Sequence, residues 1–139
     1  HFSLDSQANT YKQLNAQHVQ SIQPELKHGH NAGWKPQEPY LFAQKVIQNK
    51  PLVSFYQQEI SKHTVTTKVK GMNHISSASL YYTKDKGHTL KRKWKKFPVV
   101  VHQEKDNALL SAALPLGTSA WFFNIDVNGL IYSSEFSEL

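Results

Sequence analysis

A chain of 139 residues with 39% hydrophobic and 19% charged residues suits a folded protein with one ordinary core, or a domain of about 85–90 residues with an extension packed on it, rather than a disordered chain. No apolar run approaches the roughly 18 residues needed to cross a membrane, and the absence of cysteine excludes disulfides and thiolate metal sites while leaving the redox compartment undetermined. The net charge of +6 is local: seven cations between Lys84 and Lys96 stand against Asp85 alone, and the rest of the chain is formally neutral.

In chain order, the sequence starts at His1 without an initiator methionine or a signal peptide, which predicts a processed form or a fragment. Asp5 or Ser6 can cap a helix over 7–20, with Tyr11, Leu14, His18 and Val19 as a narrow apolar stripe. Pro24 stops that helix, and Ile22 to Lys27 reads as a short strand feeding the loop His28-Gly29-His30-Asn31-Ala32-Gly33-Trp34. Pro36 opens a second helix running to Gln48, with Tyr40, Ala43, Val46 and Ile47 on one face and Leu41 beside them. Asn49-Lys50-Pro51 closes it, so the chain divides into residues 1–50 and 51–139.

Past Pro51 the pattern becomes short alternating runs separated by turns, the signature of a β-sandwich. The expected strands are Leu52–Gln57, Thr64–Lys70, Ser77–Thr83, Leu90–Lys95, Val99–Gln103, Leu109–Leu114, Ser119–Ile125 and Leu130–Ser134. Ala78, Leu80 and Tyr82 should share one face, and Trp121, Phe123 and Ile125 another, with Phe122 and Asn124 opposite. Val99 and Val101 alternating with Val100 suits a strand covered on both sides. Asp126-Val127-Asn128-Gly129 supplies a tight hairpin. The fold class is therefore mainly β, an immunoglobulin/fibronectin-III-like sandwich preceded by a short helical segment.

The run from His28 to Trp34, followed by Pro36-Gln37-Glu38-Pro39-Tyr40-Leu41-Phe42-Ala43, resembles the end of the catalytic domain of secreted α/β-hydrolases related to acetyl-xylan esterases and acyl-peptidases. Leu80 to Asp85, Arg92-Lys93-Trp94, Ala113-Leu114-Pro115 and the stretch from Ala120-Trp121-Phe122-Phe123-Asn124 to Gly129-Leu130-Ile131-Tyr132-Ser133-Ser134-Glu135 resemble the immunoglobulin-like domain appended to some of these enzymes. The resemblance implies that residues 1–50 are the C-terminal remnant of the hydrolase domain, that one of His28 and His30 is the triad histidine of a complete parent, and that the protein is secreted or periplasmic. It implies as partner the missing hydrolase domain or chain. Here the pattern is incomplete: Gly-x-Ser-x-Gly does not occur in the chain, and a triad histidine acts only on a nucleophile held within about 3 Å.

The chain alone is therefore expected to be non-catalytic, with no cofactor. His28 has the position nearer the strand end and His30 has the preceding glycine, so the choice between them stays open. His28 and His30 spaced as His-x-His also match two metal ligands, but no third has diagnostic spacing, and no metal is expected. Lys91, Lys93 and Lys95 with Trp94 combine cations and an aromatic, as a polyanion or polysaccharide site requires. Alternation puts Lys91, Lys93 and Lys95 opposite Arg92, Trp94 and Lys96, which counts against nucleic acid and fits a lysine-guarded edge strand. The aromatics Tyr81, Tyr82, Trp94, Trp121, Phe122, Phe123 and Tyr132 fit a sandwich core better than a sugar platform. No membrane partner is expected. The apolar helix faces call for a cover, either the sandwich or a second copy of the chain in a homo-oligomer.

Overall fold

The computed structural model describes residues 4–24, 26–27, 29–88 and 91–139. Three helices precede the strands: α1 (Leu4–Gln13), α2 (His30–Gly33) and α3 (Glu38–Ile47). Nine strands follow: β1 (Ser54–Ser61), β2 (Thr64–Lys70), β3 (Ser77–Thr83), β4 (Lys95–Pro98), β5 (Val100–Glu104), β6 (Asn107–Ala113), β7 (Ala120–Val127), β8 (Leu130–Ser133) and β9 (Ser137–Glu138). They form two antiparallel sheets in the orders β1-β2-β6-β5 and β4-β3-β7-β8, and β9 continues beyond β8 on the same side of β7. With strands lettered in chain order, this is the immunoglobulin-type arrangement of an ABED sheet facing a CFG sheet, β4 being an added strand beside C. The expected mainly β sandwich is the fold of the chain.

Alternation builds the core. Val65, Thr67 and Val69 of β2 and Ala108, Leu110 and Ala112 of β6 are buried between exposed or half-exposed neighbours. Across from them, Leu80 of β3 joins Trp121, Phe123 and Ile125 of β7. Burying each of the larger of these side chains stabilises the fold by about 1.5–3 kcal/mol. Asn128 (φ 55°) and Gly129 (φ 81°) turn β7 into β8, and the Gly129 N–H donates to Asp126 Oδ1 at 2.7 Å. Gly71 has φ 82°, and a Cβ there would stand 2.2 Å from the Leu52 carbonyl oxygen, so only glycine fits where the chain leaves β2.

Strand β7 is buried along both faces except at Asp126. The second face is closed by the N-terminal segment: Leu4, Ala8 and Ile22 pack with Ala120, Phe122 and Phe136, joined by Tyr81 and Trp94. A short polar network seals this seam. The Ile22 N–H donates to Ser133 Oγ (2.7 Å), Ser133 Oγ–H donates to Asn124 Oδ1 (2.6 Å), and Asn124 Nδ2 donates to the Ile22 carbonyl (2.9 Å). The N–H groups of Ser133 and Ile131 on the β8 edge donate to the Gln20 carbonyl (2.8 Å) and to Glu38 Oε1 (2.8 Å). The segment thus covers a sheet face and satisfies an edge that would otherwise invite strand addition.

Several boundaries differ from the sequence reading. The helix expected over 7–20 ends at Gln13, because residues 20–22 serve β8 and Asn124 instead of a helical ladder. No strand forms over Ile22 to Lys27 among the described residues; Pro24 lacks the N–H that a continuing ladder needs. The strand expected over Leu90 to Lys95 is β4, displaced to Lys95–Pro98, because Arg92 and Trp94 turn into the protein before pairing begins. Val100 is exposed while Val99 and Val101 pack on the core, so β5 is covered on one side only. Helix α3 contributes no buried residue, and Tyr40, Val46 and Ile47 are exposed, Ile47 at 85%. The outer sheet face around Phe122 is covered by Leu4, Ala8 and Ile22, not by α3.

Candidate ligand-binding surface

The basic segment leaves β3 at Thr83 and is tied down at once. The Asp85 N–H donates to Thr83 Oγ1 (3.1 Å), and Ser119 Oγ–H donates to the Asp85 carbonyl (2.6 Å). The Asp85 carboxylate reaches forward to accept the Lys93 N–H at 2.6 Å, which closes the segment into a loop. Thr89 and Leu90 lie outside the described residues.

Arg92 turns inward. Its Nε–H donates to the Gly87 carbonyl at 2.9 Å, its Nη2 pairs with the Glu138 carboxylate of β9, and its guanidinium lies 5.9 Å from the Phe136 ring centroid. The Arg92 side chain is only 5% exposed, so this cation belongs to the scaffold. Trp94 is also half-buried, with its ring edge-on to Phe122 (centroids 5.1 Å apart, 63°) and Phe136 (6.1 Å, 74°). Trp94, grouped with Lys91, Lys93 and Lys95 in the sequence, packs against these two rings as a core aromatic does. Neither anchor was legible beforehand, because Phe136 and Glu138 lie more than 40 positions away.

Lys84, Lys86, Lys91, Lys93, Lys95 and Lys96 are all exposed. Lys95 and Lys96 sit on β4, the edge of its sheet, paired with Tyr82 and Tyr81. Lys96 Nζ stands 5.4 Å from the Tyr81 ring centroid, a cation–π contact. Glu138 is ion-paired with Arg92, whereas the Asp85 carboxylate, held by the Lys93 N–H, keeps its negative charge within the basic segment. The exposed Lys91, Lys93 and Lys95 of this segment are suited to phosphate, sulfate or carboxylate groups as point charges.

The histidine loop offers less. His28 lies outside the described residues, and His30 is exposed at the first position of the four-residue α2. Trp34, at its far end, is 68% exposed. Among the described residues no group of three His, Asp or Glu side chains is placed to hold a metal ion. No helix among them is long and apolar enough to cross a membrane.

No protein-family model matches the sequence and no curated protein matches it. Among solved structures, the chain is similar to the crystal structure of the swine CD8αα homodimer, at 16% sequence identity over 63% of this chain and 95% of that one, with a TM-score of 0.36. A likeness of that size says nothing about ligand or partner, and the sandwich assignment rests on the strand order itself.

Proposed function

We propose that the chain is a non-catalytic accessory module that binds an anionic polymer, an acidic polysaccharide by class, along its β4 edge. One observation carries the reading: Arg92 and Trp94 are turned inward onto Phe122, Phe136 and Glu138, and this holds Lys91, Lys93 and Lys95 outward on an anchored base. A repeating anion can engage such a row without the ordering cost that a loose lysine tail would incur. Within the same proposal, residues 1–50 derive from a secreted or periplasmic α/β-hydrolase-like parent, with His28 or His30 as its triad histidine and the hydrolase domain or chain as partner. That part rests on the resemblance of the His28–Trp34 loop. The sandwich would then hold substrate near the parent's catalytic domain.

Binding to polygalacturonate, followed as a function of salt, tests the module. Affinity should fall steeply with ionic strength and be lost in the triple variant Lys91→Gln, Lys93→Gln, Lys95→Gln. Salt-independent binding, or full binding by the variant, refutes it. Turnover of a simple acetyl ester by the chain, abolished by substituting both His28 and His30, would overturn the non-catalytic assignment.

A further inference from the structure

A cleft of about 850 Å³ opens between residues 11–20, the Pro51–Phe55 stretch and the β8 end of the sandwich. Its size is within the roughly 300–1,000 Å³ typical of small-molecule sites. One wall is formed by Tyr11 and His18, whose ring centroids are 5.3 Å apart with planes tilted by 32°. His18 Nδ1 lies 3.0 Å from the Ala16 carbonyl, which can only accept; Nδ1 therefore carries the hydrogen, and Nε2 is the acceptor of the neutral ring. The lining also includes Lys70 and Tyr132. Gln20 also lines the cleft, is 9% exposed, and its Nε2 is buried without a hydrogen-bond partner. A buried amide donor without a partner is unfavourable, and the terminal torsion of glutamine turns easily enough to bring that donor to an incoming acceptor.

The lining selects among ligand classes. Among the described lining residues Lys70 is the one cation of fixed charge, its Nζ 5.7 Å from the Tyr56 ring centroid, against the carboxylates of Asp106 and Glu135, so a polyanion is disfavoured. A purely apolar molecule would strand the amides of Asn15, Gln17, Gln20 and Asn107. Aromatic faces beside amides and carboxylates suit a neutral molecule with an apolar ring face and a rim of hydroxyls. We infer that this cleft is a binding site for a neutral oligosaccharide, with Tyr11 and His18 offering ring faces and Gln20 and Lys70 donating to hydroxyls. The site is separate from the lysine edge and does not depend on the function proposed for that edge.

The test is an NMR titration of the full chain with cellohexaose, maltohexaose and xylohexaose at millimolar concentration. At least one should give saturable shifts at Tyr11, His18, Gln20 and Tyr132, including the Gln20 side-chain amide. Tyr11→Ala, and separately Lys70→Ala, should each weaken binding about tenfold while the spectrum elsewhere keeps its native dispersion. The triple lysine variant of the β4 edge should bind these sugars unchanged, which separates this site from the polyanion surface. No saturable shift with any of the three, shifts mapping away from the cleft, or full affinity in both single variants would overturn the inference.

Discussion

The sandwich and the segment before it are held by different forces. Between the sheets, side chains such as Leu80, Leu110, Phe123 and Ile125 are buried almost completely, and the stabilisation is non-directional and proportional to area. The N-terminal segment buries little, chiefly Ala8 and Ile22. It is positioned instead by hydrogen bonds that the Ile22 N–H donates to Ser133 and that Gln20, Ile22 and Glu38 accept from Ser133, Asn124 and Ile131. Area forgives small displacements. A hydrogen-bonded seam does not, so the two regions should fail differently.

The largest expected effect is in the core. Phe123→Ala should lower the unfolding free energy by about 3–5 kcal/mol, read as a large drop in the urea midpoint that strand and helix signals share. Next comes the seam. Asn124→Ala removes the donor to the Ile22 carbonyl and the acceptor of the Ser133 O–H and should cost about 1–3 kcal/mol. Amide exchange should quicken over residues 4–22 while β2 and β6 keep their protection. Equal loosening of both regions would show that the segment and the sandwich unfold as one unit.

A smaller effect separates the regions by pH. Burial, and then the Glu38 carboxylate, raise the Tyr132 pKa above 10.0. The unfolded chain therefore releases this proton first, so stability is full below about pH 10 and falls as pH rises from there through the raised folded value. Tyr132→Phe should flatten that alkaline loss in a thermal-melt series; an unchanged slope would mean that other groups govern it. The smallest effect is expected on the outer side of α3. Val46→Lys should change stability by no more than about 0.5 kcal/mol, and a larger loss by equilibrium denaturation would reveal packing of α3 that its exposed Val46 and Ile47 do not suggest.

The sandwich was largely legible because alternation is a local signal. The strands β2 and β3 coincide with the expected ranges, and the two faces of β7 divide as the pattern requires, Trp121, Phe123 and Ile125 against Phe122 and Asn124. The helical segment was less so. A 3.6-residue periodicity places Tyr40, Val46 and Ile47 on a common face, but it does not say that another part of the chain has already taken the surface they would cover. For the candidate site, the lysines were visible as a charge run, whereas the inward turn of Arg92 and Trp94 was not.

The sandwich, the faces of its central strands, the Asn128-Gly129 turn and the confinement of charge to one segment are written in the chain locally. Each follows from backbone geometry and residue type within a few positions. Packing at a distance sets the rest: residues 4–22 cover the second face of β7, Glu138 takes Arg92 out of the basic surface, and a cleft opens beside Gln20. These depend on partners 46 to 111 positions apart, and a pairing at that separation leaves no period or spacing in the chain from which it could be read.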